Sequence, residues 1–173
     1  MTTPNTDRMI RVDQAGEFGA NRIYEGQLAV MGDRGPHSAE IRAMAAQEER
    51  HREQFDALMA RRGVRPTALQ PFWSAAGYGL GAVTALIGPE AAMACTAAVE
   101  TEIDKHYSDQ LDALLEADAD PELAAMIEDF REDEREHRDA AIAHGAERAP
   151  AYPLMSAVIR AGCRAAIKLS ERI

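Results

Sequence analysis

Cysteine is scarce in this 173-residue chain: Cys95 and Cys163 are the only two, and no Cys-x-x-Cys occurs. That excludes a disulfide framework and speaks against a rubredoxin-like cysteine site. Aromatic residues make up 5% of the chain while alanine is abundant, so few strands are expected and helices are favoured. Basic residues are outnumbered 19 to 29, and a net charge of −10 argues against a nucleic-acid partner. No apolar run follows a basic N-terminal stretch, so no secretory signal is expected. No Gly-x-Gly-x-x-Gly occurs, so no dinucleotide-binding fold is expected either. Charge itself is missing from one place: none lies between Pro66 and Pro89, and Glu90 is the only charged residue from there to Val99.

What is present is helical periodicity, in a length that suits one domain spanning residues 1–173 with a core of its own. The spacing predicts long helices over about 6–31, 38–62, 90–116 and 121–145. Gly32, Gly35 and Pro36 end the first, Ser38 caps the second, Gly63 stops it, and Asp120-Pro121 starts the fourth. Shorter helices are expected over about 72–87, where Gly77, Gly79 and Gly81 loosen an apolar segment, and over about 154–170 after Pro150 and Pro153. The implied fold is all-α: two helical hairpins joined by a long crossover carrying a short apolar helix, with an extra C-terminal amphipathic helix. That is the layout of a ferritin-like four-helix bundle.

Two of the five histidines follow a glutamate by three residues: Glu48 with His51, and Glu134 with His137. On a helix, i and i+3 share a face, so each pair offers a carboxylate and an imidazole together. The pattern repeats with a lone glutamate one helix earlier, Glu17 before Glu48 and Glu100 before Glu134. A Glu from each of two helices plus Glu-x-x-His from the other two is the ligand set of a carboxylate-bridged dimetal site. Small residues flank both lone glutamates (Ala15, Gly16, Gly19 and Ala20; Ala94, Ala97 and Ala98), which lets helices approach closely. Four converging carboxylates demand protons or cations, and mixed nitrogen and oxygen ligation suits iron or manganese, with oxygen chemistry favouring iron. The bland alternative is that all six are surface residues, as Glu49, Glu53, Glu132 and Glu136 are expected to be.

Tyr24 and Tyr107 each follow a lone glutamate by seven residues. They can hydrogen-bond ligands or substrate, or simply pack the core. Asp13, Asn21 and Asp104 lie one turn from the lone glutamates and can orient a histidine, or cap and solvate a helix. His106 points about 120° from Glu100's face, and His37 and His144 sit near helix ends as structural residues.

With these residues in place, the sequence resembles the demethoxyubiquinone hydroxylase family of ubiquinone biosynthesis. The resemblance runs through RVDQAGEFGANRIY (11–24), EERH (48–51), AMACTAAVE (92–100), EREH (134–137) and AGCRAAIKLSER (161–172). Gln14 and Phe18 stand where some members differ. The resemblance implies six iron ligands at Glu17, Glu48, His51, Glu100, Glu134 and His137, with Glu48 and Glu134 bridging two irons. It implies hydroxylation of a polyprenyl benzoquinol by dioxygen, with electrons from an external donor, NADH or the quinol itself. The rival function is a ferritin-like iron-storage or peroxide-scavenging protein.

A polyprenyl quinol lives in a bilayer. Helix 72–87 reaches about 24 Å against a hydrocarbon core of about 30 Å, so an interfacial or dimerising helix is expected rather than a span, with packing on its own bundle as the alternative. Trp73 and Tyr78 suit an interface. Arg160, Arg164 and Lys168 form a basic stripe suited to anionic headgroups, or a solvated face. The expected partners are the quinol, membrane lipids, a second copy of the chain and a protein of the same biosynthesis. The expected place is peripheral, on the cytoplasmic face of the cell membrane.

Overall fold

The computed structural model describes residues 4–172. Among these it is all helical: α1 (Thr6–Met31), α2 (Ser38–Arg62), α3 (Gln70–Ile87), α4 (Pro89–Glu116), α5 (Pro121–Ala143), a 3₁₀ turn (Ala146–Arg148) and α6 (Tyr152–Ser170). Asn5 caps α1 by accepting from the Arg8 amide, and Asp120 caps α5 by accepting from Leu123. Gly32 and Gly63 close α1 and α2 in positive-φ conformations. Ser38 is not the cap of α2: Gly35 accepts from the Ser38 amide in a tight turn, so His37 becomes the cap and Ser38 the first helical residue. Pro71, Pro89 and Pro153 sit inside first turns, where a missing N–H costs nothing, so those helices start one or two residues earlier than the prolines suggest.

The hairpins α1/α2 and α4/α5 pack tightly within themselves and only loosely against each other. Between them lie two apolar clusters. One contains Ile41, Met44, Met93 and Ala97; the other contains Phe55, Leu58, Leu114 and Phe130. α4 is buried on every side from Ala91 to Glu100, because α1, α3, α5 and α6 surround it. This explains the missing charge there: a helix buried all round is apolar all round.

α3 lies along α1, and two of its three glycines, Gly77 and Gly81, are contacts rather than weaknesses. A Cβ at Gly81 would collide with the Ile23 carbonyl, and one at Gly26 with the Tyr78 carbonyl. Trp73 turns inward, and Tyr78 lies under the Arg22 guanidinium at 5.1 Å. α6 rests on α4, where Arg160 and Arg164 both donate to the buried Glu102 at 2.6 and 2.8 Å. Two of the three residues expected to meet lipid headgroups are therefore engaged within the protein. No described helix is long and apolar enough to cross a membrane.

Gly81→Ala is expected to destabilise by about 1–3 kcal/mol despite alanine's better helix propensity. Gly79→Ala, with open space at its Cβ, is expected to stabilise by about 0.5–1 kcal/mol. Urea unfolding of the two variants checks both signs.

Candidate metal centre

All six glutamates and histidines of the doubled pattern converge in the bundle interior, each at most 3% exposed. α1 brings Glu17, α2 brings Glu48 and His51, α4 brings Glu100, and α5 brings Glu134 and His137. They form two tetrads, Glu17-Glu48-His51-Glu134 and Glu48-Glu100-Glu134-His137, whose donor atoms all lie within 4.8 Å of one another. Glu48 and Glu134 belong to both. His51 Nδ1 lies 3.5 Å from Glu17 Oε2 and 3.5 Å from Glu134 Oε1; His137 Nδ1 lies 3.0 Å from Glu48 Oε1 and 3.4 Å from Glu134 Oε2.

Seven buried donor atoms in this cluster have no well-formed hydrogen bond: Glu17 Oε2, Glu48 Oε1, His51 Nδ1, Glu100 Oε2, both oxygens of Glu134, and His137 Nδ1. Buried polar atoms are normally satisfied, so such a concentration marks a place built for something else. The partners that do exist leave these atoms free. His51 Nε2 donates to Asp133 Oδ2 at 2.9 Å and His137 Nε2 to Gln47 Oε1 at 3.0 Å, which orients both rings with Nδ1 facing inward. Tyr24 donates to Glu100 Oε1 at 2.7 Å and Tyr107 donates to Glu17 Oε1, each reaching across to the other hairpin. Each terminal glutamate is thus held by one oxygen and presents the other. Burial, then the charges of Glu100 and Glu17 respectively, keep both phenols protonated.

The tyrosines therefore bond to site residues rather than merely packing. Asn21 meets Glu49 at 3.4 Å, and Asp104 pairs with Arg135 and Arg138, so neither reaches a histidine of the site. Asp13 accepts from His106 at 3.1 Å and Gln110 at 2.8 Å. The His37 and His144 rings lie 4.7 Å apart at a tilt of 48°, away from the cluster. Gln47 and Asp133 were missed by motif reasoning, although a signal existed. Each precedes the Glu of its Glu-x-x-His and stands one turn from its own histidine, from which it reaches the histidine of the facing helix.

Beside the cluster lies an apolar cavity of about 430 Å³ between α1, α3, α4 and α6. Its floor includes Gly16 and Val99, the neighbours of Glu17 and Glu100. A tight crevice bounded by Ala20, Ile23, Tyr24, Thr96, Val99 and Glu100 adjoins it.

The fold and the donor set together define a helical bundle with a buried carboxylate–imidazole centre that could hold metal. The family model described as "Ubiquinone biosynthesis protein COQ7" matches residues 4–170, and the chain belongs to that family. It is 54% identical over 167 residues to the 3-demethoxyubiquinol 3-hydroxylase of Rhodospirillum rubrum, covering 96% of this chain and 78% of that protein. It is 52% identical over 169 residues to the human mitochondrial NADPH-dependent 3-demethoxyubiquinone 3-hydroxylase, covering 96% and 77%. It is 44% identical over 181 residues to the mitochondrial 5-demethoxyubiquinone hydroxylase of Saccharomyces cerevisiae, covering 96% and 78%.

Without cations the cluster must divide its charge. Burial, then the charge of Glu134, pushes the Glu48 and Glu100 carboxyls well above the usual range. Burial opposes the Glu134 anion too, but His137 and His51 outweigh it and hold Glu134 at about 2. Burial lowers His51, yet Glu134 and Glu17 outweigh that and lift it to about 11. The raised groups stabilise the metal-free fold at low pH. That support is lost as pH climbs from 4.5 through the raised carboxyl values, and from 6.5 toward about 11 for His51. Glu134 acts in the opposite window, losing its contribution as pH falls from 4.5 toward about 2. Metal-free protein is therefore expected to melt at progressively lower temperature between about pH 5 and about pH 8, and Mn²⁺ is expected to reverse the trend. Calorimetry with and without Mn²⁺ checks it.

Proposed function

We propose that the chain is an oxygen-dependent diiron monooxygenase. It hydroxylates the ring of 2-polyprenyl-3-methyl-6-methoxy-1,4-benzoquinol, the step that precedes a methylation in ubiquinone biosynthesis. The supporting observation is the junction of two features: a buried centre of orphaned carboxylate and imidazole donors, and an apolar cavity with Glu17 and Glu100 beside its floor. Glu17, Glu48, His51, Glu100, Glu134 and His137 would hold two iron ions within a single ferritin-like domain, with Glu48 and Glu134 shared between them. Bound iron would supply the activation of dioxygen, with two electrons coming from outside; the NADPH named for the mitochondrial relatives supports a nicotinamide donor, and the quinol itself is the other source.

The chain's own residues do the rest. Gly16, Gly19 and Ala20 on α1 keep the floor low enough for a ring to approach the glutamates. Leu80, Val99 and Ile159 exclude water from the side where charge changes. Tyr24 Oη and Tyr107 Oη hold their protons on the terminal glutamates and keep each carboxylate aimed. An iron-storage or peroxide-scavenging protein would have no use for this cavity, because ions and peroxide gain nothing from an apolar approach.

The cavity walls α3 and α6 carry exposed Val83, Leu86 and Leu154 away from the cavity, and exposed Phe72 and Val158 at its rim. These support peripheral contact with a bilayer, on its cytoplasmic face in a bacterial cell, where a prenylated substrate resides. With Arg160 and Arg164 engaged on Glu102, the contact is mainly apolar.

Purified protein is expected to carry about two irons per chain, and the Glu48→Ala, Glu134→Ala double variant none. In a strain lacking its own hydroxylase, the wild-type chain should replace accumulated demethoxyubiquinone with ubiquinone while Glu134→Ala should not. Failure of the iron-loaded wild type there overturns the reading. Vesicle co-sedimentation is expected to survive high salt and to be lost in a Phe72→Asp, Leu86→Asp variant.

A further inference from the structure

The cavity has four walls, and they are not equally fixed. α1 and α3 are locked backbone to backbone at Gly26, Gly77 and Gly81, so neither can move without the other. α4 is buried on all sides from Ala91 to Glu100, up to the Val99 end of the cavity. α6 differs: only Ile159 and Ser170 are buried, its outer face is exposed, and it packs mainly on α4 while hardly meeting α3 across the cavity. Yet its inner face, from Val158 to Ser170, closes one whole side.

Met155, Ile159 and Cys163 pack α6 on α4, and three further features mark its start, middle and end. At its start, Ala151 adopts φ 52° with no side-chain cap, a conformation that residues with a Cβ rarely adopt. At its middle, Arg160 and Arg164, one turn apart, reach a single carboxylate, Glu102, on long flexible stems. At its end, the indole N–H of Trp73 donates to Ser170 Oγ at 3.0 Å, a single hydrogen bond between α3 and α6. Both residues line the cavity.

We propose that α6 is a lid over the cavity, hinged at Ala151, rolling on the Glu102 ion pairs and latched by Trp73 and Ser170. Opening separates α6 from α3 and admits a prenylated ring sideways, with its tail left between the two helices. The lid rests on the proposed function only for the identity of what passes beneath it.

Trp73 is the only tryptophan of the chain, so its emission reports on the cavity. Iron-loaded protein in detergent, mixed rapidly with decylubiquinone, gives association and dissociation rates by quenching. Ser170→Ala keeps the reporter and removes the acceptor. Both rates are expected to rise about five-fold, the worth of one net hydrogen bond, with Kd little changed. Amide exchange in α6 should accelerate by a similar factor while α1 and α4 stay unchanged. Ser170→Thr, which keeps a hydroxyl, should restore wild-type rates. Should Ser170→Ala fail to fold, Trp73→Phe removes the donor instead and is read by exchange. Normal quenching with unchanged association rate and unchanged α6 exchange overturns the lid. Absence of quenching in the wild type overturns the quinol reading instead, and faster α6 exchange in Ser170→Ala would then still support the lid.

Discussion

Four carboxylates meet in the interior of this bundle, and the rest of the structure follows from that constraint. Two unit charges 4 Å apart repel by roughly 4 kcal/mol at an effective dielectric of 20. Several such pairs would open a small bundle unless protons or cations lie among them. The two hairpins are accordingly compact within themselves and loosely joined to each other, with the centre in the seam. Glu17–Tyr107 and Tyr24–Glu100 cross that seam on one side, and His51–Asp133 and His137–Gln47 cross it on the other. The polar bonds that aim the donors are thus also among the bonds that join the halves, beside Arg62–Asp120 and Asp13–Gln110. Metal loading would therefore be coupled to tertiary stability through the same residues.

The apolar clusters at the two ends of the seam compensate for the polar middle. His51 stacks on Phe130 at 4.0 Å, and Phe130 meets Phe55 edge-on, so the imidazole is anchored by packing as well as by Asp133. Alanines along α4 serve the opposite purpose. They bring neighbouring backbones close enough that short glutamate side chains can reach a common centre.

The doubled Glu and Glu-x-x-His pattern was legible in the sequence because helical geometry makes it local: i and i+3 share a face wherever the helix goes. Gly32, Gly63 and Asp120 were legible as helix ends for the same reason. The remaining features depend on neighbours distant in the chain. Glu102 sits in a stretch, Thr101 to Lys105, that reads as solvated, and its burial comes from α6 returning 58 residues later. The stripe of Arg160 and Arg164 looked free for headgroups because nothing local reveals that carboxylate. Gln47 and Asp133 are hidden among charged neighbours until the facing helix is placed. Gly77 and Gly81 of α3 read as flexibility, whereas they are where its backbone meets that of α1.

The centre is symmetric in its donor groups and asymmetric in its surroundings. On the α2/α5 side both imidazoles are backed by polar partners, and Asp133 keeps a side chain 31% exposed. On the α1/α4 side the terminal glutamates are backed by buried phenols and then by the apolar cavity. An apolar reactant therefore has one favourable approach, past α1 and α4, while the histidine side remains polar and closely packed. The four acids explain where the metals would sit. The neutral stretch from Pro66 to Val99 explains why only one face of that centre is dry, because it supplies both α3 and the buried run of α4. In the proposed function, reaction on the dry side would place the ring next to Glu17 and Glu100, the two carboxylates whose orientation each depends on a single tyrosine.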